Sequence, residues 1–197
     1  MKENQFYAML SRMKYIYRWG LMRNTINENI CEHSLDVAFI AHALAVIRNT
    51  RFNGNVNPER VAVLAMYHDV TEIITGDLPT PIKYDNPKIK EAYKEVENDA
   101  KNRLLSFLPS DLRGEYGKLL FRTEDDSELY AIVKSADRIS ALIKCIDEKR
   151  MGNSDFDKAE ASIFESIEKN DLPEVKCFMK EFLPAFKLTL DEQTNNT

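Results

Sequence analysis

Tyr67-His68-Asp69-Val70-Thr71-Glu72 places an imidazole and two carboxylates inside a segment that otherwise reads as a buried helix. Val61, Leu64 and Ala65 mark an apolar stripe, and His68, Asp69 and Glu72 continue it at helical spacing. An isolated carboxylate loses several kcal/mol on leaving water, so Asp69 needs a cation, a proton or several donors beside it. Successive residues diverge by about 100° around a helix, so His68 and Asp69 serve one ion only if it lies between helices. Other helices must supply the remaining ligands, and the fold expected from this stretch is an all-α bundle.

Working outward, the chain has 197 residues, 44% of them hydrophobic, enough for one core. The expected domain spans residues 1–187, with a polar tail at 188–197. Lys+Arg 27 against Asp+Glu 32 leaves a net charge of -5 and no basic run, which disfavours a nucleic-acid polymer as partner. Cys31, Cys145 and Cys177 are widely spaced without a CxxC pair and read as reduced thiols. No signal peptide or 18-residue apolar run is read, since residues 1–22 carry Lys2, Arg12, Lys14 and Arg18. The expectation is a cytoplasmic protein without a membrane segment.

A first helix with Phe6, Met9, Leu10, Met13, Ile16 and Tyr17 inward is expected to end near Arg18-Trp19-Gly20, with Gly20 as its cap. There Trp19 and Arg18 either close the core and face solvent, which position alone prefers, or meet a small anionic ligand. Asn29 and Glu32 form a capping box for a helix whose inner face is His33, Val37, Ile40, Ala41, Leu44 and Ile47. His42 lies opposite His33 and reads as structural or solvated. Asn57-Pro58-Glu59 starts the helix that carries His68, Asp69 and Glu72 and runs to Gly76. After it, Asp77-Leu78-Pro79-Thr80-Pro81 is a stiff loop, either a plain connector or a substrate-positioning one.

A long helix follows from Asn86-Pro87 to Pro109, its charged face read as solvated, then a shorter one over 110–121, frayed around Gly114 and Gly117. The next helix, after Ser127, turns Leu129, Ile132, Val133, Ala136 and Ile139 inward, and Asp137 intrudes on that side. A cation shared with Asp69 answers both carboxylates; pairing with Lys134 or Arg138 is the alternative. Helices over 155–169 and from Pro173 to about Phe186, the latter capped by Asp171, complete the bundle.

His33, His68, Asp69 and Asp137 together offer two imidazoles and two carboxylates, a set suited to a divalent transition metal. Their order, H…HD…D, resembles that of the HD-domain metal-dependent phosphohydrolases. Arg18-Trp19, Glu32-His33-Ser34-Leu35, Ala65-Met66-Tyr67-His68-Asp69, Gly76-Asp77-Leu78-Pro79-Thr80-Pro81 and Lys134-Ser135-Ala136-Asp137 narrow the resemblance to the bacterial 5′-deoxynucleotidase family, the YfbR type, over nearly the whole chain. That resemblance implies an HD-type helical fold and one divalent metal, manganese, cobalt, iron or zinc, on His33, His68, Asp69 and Asp137. It implies Glu72 as acid/base and Arg18 as the phosphate-orienting residue. The substrate-binding set becomes Arg18, Trp19, His33, Asp77, Leu78, Pro79 and Thr80. A homodimer and a deoxynucleoside monophosphate substrate are implied as well. The rival readings are another HD phosphohydrolase, acting on dNTP or (p)ppGpp, and a non-enzymatic nucleotide-sensing domain in which the metal is only a staple.

Overall fold

Three of the α-helices start where an asparagine side chain accepts the first free backbone N–H groups. In the computed structural model, which describes residues 4–79 and 86–194, Asn29 Oδ1 accepts from the N–H groups of Cys31 and Glu32, both at 3.0 Å. The Glu32 carboxylate closes the expected box on the Asn29 N–H at 3.4 Å. Asn57 caps the N–H of Arg60 at 2.8 Å and Asn86 that of Ile89 at 3.0 Å, each with proline next in sequence. Each such cap stabilises its helix by about 1 kcal/mol.

In chain order the helices are α1 (Phe6–Leu10), continued by a 3-10 turn to Tyr15, α2 (Ile30–Arg51), α3 (Pro58–Met66), α4 (Glu72–Thr75) and α5 (Pro87–Ser106). They are followed by α6 (Ser110–Leu120), α7 (Ser127–Arg150), α8 (Asp157–Glu168), α9 (Pro173–Glu181) and α10 (Leu190–Thr194). Among the described residues there is no β-strand, only an isolated bridge between Tyr17 and Asn29. The all-α expectation holds.

Several local expectations are corrected. The first helix stops at Tyr15, not at Gly20, because Ile16 turns extended and the Ile30 N–H donates to its carbonyl at 2.9 Å. The segment 110–120 is one continuous helix despite Gly114 and Gly117. Asp171 does not cap α9; Asn170 Oδ1 accepts from the Leu172 N–H at 2.9 Å instead. Part of the polar tail is helical, as α10. The helix α2 is long and apolar enough to cross a membrane, contrary to the reading that no such run exists. Its apolar residues serve the core, with Val37, Ala41 and Leu44 completely buried.

Two apolar clusters divide the interior. The larger joins α2, α3, α7 and α9 through residues such as Leu44, Leu64, Ile139 and Phe178; the smaller gathers Phe6, Met13, Ile30, Val70, Leu104, Leu108 and Leu120. Each large side chain buried there contributes about 1.5–3 kcal/mol. Ile30 belongs to the smaller cluster and Val37 to the larger, and likewise Val70 and Leu64. The intervening residues, His33 on α2 and His68-Asp69 after α3, therefore lie at the seam.

Candidate active site

His68 and Asp69 do not sit on a helix that runs to Gly76. The helix α3 ends at Met66, and residues 67–71 form turns whose hydrogen bonds span three residues: Tyr67 N–H to Leu64, His68 N–H to Ala65 and Val70 N–H to Tyr67, each at 3.3 Å. One cause is the His68 ring. Its Nδ1 lies 2.6 Å from the Ala65 carbonyl, the acceptor that a continuing helix would assign to the Asp69 N–H. The break swings His68 and Asp69 together, and Glu72 restarts the chain as the first residue of α4, buried.

Two other helices converge on this turn. From α2 comes His33, completely buried, and from α7 comes Asp137. His33 Nε2 lies 3.1 Å from Asp137 Oδ1 and 3.6 Å from Asp69 Oδ2. His68 Nε2 lies 3.1 Å from Asp69 Oδ2 and 4.0 Å from Asp137 Oδ1. His33, His68 and Asp69 offer ligand atoms all within 4.8 Å of one another. Ligands bound at about 2.0–2.2 Å to one ion stand roughly 3–3.5 Å apart, so these spacings suit a shared cation. The Asp137 side chain is 38% exposed, not the core residue expected, and forms the open side of the cluster.

The donor chemistry fits a metal. Since the Ala65 carbonyl can only accept, the neutral His68 ring keeps its proton on Nδ1 and points a lone pair from Nε2 into the cluster. That Nε2 is buried and makes no aligned hydrogen bond among the described residues, although Asp69 Oδ2 stands 3.1 Å away. Burial works against the His68 imidazolium, yet the Asp69 carboxylate outweighs it and pushes the pKa up to about 9. Asp69 is buried too, but His68 above all holds its carboxyl well below the usual range. The cluster thus attracts positive charge strongly enough to retain a proton where a metal would compete for it.

The Tyr17–Asn29 bridge presents the next residues. The Arg18 N–H donates to the Glu28 carbonyl at 2.9 Å, and the Arg18 guanidinium reaches Glu28 Oε2 at 2.7 Å and His33 Nδ1 at 2.9 Å. Its Nη2 stands 4.0 Å from Asp137 Oδ1. Burial opposes its charge, and Glu28, followed by Asp69 and Asp137, more than offsets that and raises the Arg18 pKa.

Trp19 adopts φ 61°, the left-handed region that costs a side-chain-bearing residue about 1–3 kcal/mol. Asp77 Oδ2 accepts its N–H at 3.1 Å, Asn24 Nδ2 and the Met22 N–H bond its carbonyl at 3.2 and 2.8 Å, and its indole donates to Glu28 Oε2 at 3.2 Å. The ring packs on Phe156 with centroids 5.3 Å apart. Arg18 therefore borders the cluster rather than facing solvent, while Trp19 packs on the buried Phe156 beside it.

Asp77, Leu78 and Pro79 follow Gly76, whose φ of 72° turns the chain back past Trp19; all three are half-buried. Thr80 and Pro81 lie outside the described residues. His42 is exposed and takes no part. Glu28 went unnoticed in the sequence, where Asn27-Glu28-Asn29 reads only as the approach to a cap, because no local pattern announces a pairing made through a two-residue bridge.

The chain is similar to known proteins over nearly its whole length. A family described as 5′-deoxynucleotidase YfbR-like matches residues 5–186. A curated Vibrio cholerae protein named 5′-deoxynucleotidase is 50% identical, covering 98% of this chain and 99% of its own. An HD-domain phosphohydrolase from Listeria innocua superposes with a TM-score of 0.80 at 27% identity, over 92% of this chain and 88% of that one. The cyanophage S-2L HD phosphohydrolase, solved with dA and one catalytic zinc ion, shares the fold at a TM-score of 0.59 and 20% identity, over 92% of this chain and 96% of that one.

Proposed function

The chain belongs to the YfbR-like 5′-deoxynucleotidase family, and from that membership we propose how its own residues serve the hydrolysis of 2′-deoxyribonucleoside 5′-monophosphates to deoxynucleoside and phosphate. His33, His68, Asp69 and Asp137 would hold one divalent metal ion. The observation that carries this is the buried His68 Nε2, which makes no aligned hydrogen bond yet stands 3.1 Å from Asp69 Oδ2 and 4.0 Å from Asp137 Oδ1 in a cluster that His33 completes. Such an ion polarises a phosphoryl oxygen and lowers the pKa of a bound water.

Arg18, beside the cluster, neutralises charge on the phosphoryl oxygens. Glu72, buried at the start of α4, moves the proton that hydrolysis requires. Trp19 packs against the nucleoside without reading a base-specific hydrogen-bond pattern, which permits several bases. Asp77, Leu78 and Pro79 bound the sugar, and a stiff backbone beside C2′ would exclude the ribo substrate. Glu72 and Arg18 favour hydrolysis over nucleotide sensing, since a metal that merely staples helices needs neither. Free thiols at Cys31, Cys145 and Cys177 suit the cytoplasm.

The protein also pairs as a homodimer through α2, where Leu35, Phe39 and Val46 form an exposed apolar stripe at 47%, 66% and 40% exposure. Phosphate release from dAMP and AMP, with manganese, cobalt, iron or zinc and after chelation, tests the central reading. Activity is lost on chelation, restored by at least one metal, and higher on dAMP by about a hundredfold or more in kcat/KM. Equal kcat/KM on the two sugars overturns the deoxy preference.

A further inference from the structure

We propose that Glu28 is a positioning residue for this reaction, a single carboxylate that orients Arg18 and Trp19 and sets the tautomer in which His33 binds metal. The proposal rests on the reading of His33 as a ligand. Glu28 lies at the end of the loop that begins at Trp19, and its side chain is only 12% exposed. One oxygen, Oε2, accepts from both the Arg18 guanidinium at 2.7 Å and the Trp19 indole at 3.2 Å. The other, Oε1, stands 3.7 Å from His33 Nδ1.

His33 Nε2 faces Asp69 and Asp137, so it can ligate only with its lone pair free, and the ring proton must then occupy Nδ1. Three groups approach Nδ1: Arg18 Nη1 at 2.9 Å, Ser140 Oγ at 3.2 Å and Glu28 Oε1 at 3.7 Å. Arg18 has only donors and opposes a proton there. Ser140 can accept it, but a neutral hydroxyl is the weaker acceptor. Glu28 is the one anion among the three: at 3.7 Å its Oε1 lies beyond a direct hydrogen bond but attracts a proton at Nδ1 electrostatically, and its Oε2 offers the Arg18 guanidinium another partner. The same carboxylate therefore biases His33 toward ligation and keeps the arginine and the strained Trp19 beside the site.

Glu28→Gln separates the two parts. The amide oxygen still accepts from Arg18 and Trp19, while the amide nitrogen replaces Oε1 and brings a donor toward Nδ1, which favours the non-ligating tautomer. Calorimetry with Mn²⁺ alone reads the first part, and emission of Trp19, the sole tryptophan in the chain, reads the second. For Glu28→Gln the expected results are Mn²⁺ affinity weakened about 10–100-fold, Trp19 emission unchanged, and KM for dAMP at saturating metal within about twofold of wild type. For Glu28→Ala, Mn²⁺ affinity falls, Trp19 emission shifts and KM rises together. If Glu28→Ala does not fold, Glu28→Asp, one methylene too short to serve all three groups, takes its place with the same expected readouts.

Wild-type Mn²⁺ affinity in Glu28→Gln overturns the tautomer role. Wild-type emission and KM in Glu28→Ala, or in its substitute, overturn the orienting role. Failure of the wild type to release phosphate from dAMP counts against the proposed reaction, and the metal and emission readouts then decide the role of Glu28 by themselves.

Discussion

Asp137 and Glu72 separate two kinds of carboxylate at one site. Asp137 stands against His33 Nε2 at 3.1 Å with its outer side open, and as a proposed ligand it would bind metal without being locked in the core. Asp137→Ala should weaken metal binding by more than the ~10–100-fold typical of residues that only support a ligand, and abolish phosphate release with it. Full activity at near-zero metal content, measured on the same sample, sinks the metal assignment. Glu72 lies beyond the break, buried at the start of α4. Glu72→Ala should still bind metal and nucleotide yet lose about two to four orders of magnitude in kcat. Calorimetry that finds no metal binding in this variant makes Glu72 a ligand instead.

Among the elements, the loop between Trp19 and Glu28 is fastened to α7 by Glu148 and by Lys144, whose Nζ donates to the Ile26 carbonyl. Glu148, fully buried, accepts from the Thr25 N–H at 2.9 Å, the Ile26 N–H at 3.2 Å and Asn153 Nδ2 at 2.7 Å, and is paired with Lys144. Burial alone would raise its pKa, but Lys144 and the three hydrogen-bond donors hold it at about 2. With the folded value below the unfolded one, Glu148 contributes stability that is fully present above about pH 4.5 and lost as pH falls toward 2, on the order of 3 kcal/mol. Glu148→Gln should therefore be less stable than wild type near pH 6, and denaturant titrations of the pair should converge between pH 4.5 and 2. A gap independent of pH over that range refutes the charge-based account. Because the loop carries Arg18, Trp19 and Glu28, loosening it should also raise KM for dAMP.

For the molecule as a whole, the seam between the two apolar clusters is the place where polar groups meet from several helices while each cluster stays dry. The outer stripe of α2, Leu35, Phe39 and Val46, lies on the opposite face from His33 and Leu44. Phe39→Glu should shift a dimer toward monomer in sedimentation velocity at micromolar concentration while leaving the metal affinity of each chain unchanged. A wild type that sediments as a monomer throughout removes the homodimer reading.

By itself the sequence determined the all-α class, the asparagine-started helices and the convergence of His33, His68, Asp69 and Asp137, because caps and helical periodicity are local physics and buried carboxylates demand partners. It placed His68, Asp69 and Glu72 on one continuous helix. The tertiary structure decided otherwise, since the competing bond from the His68 ring to the Ala65 carbonyl follows from the side chain's three-dimensional placement and leaves no mark on the apolar spacing. The same holds for Trp19 and Glu28. Where Trp19 packs, and which carboxylate meets a guanidinium ten residues away, depends on an extended bridge closing between Tyr17 and Asn29. Hydrophobic periodicity does not encode that contact, and only the packed chain supplies it.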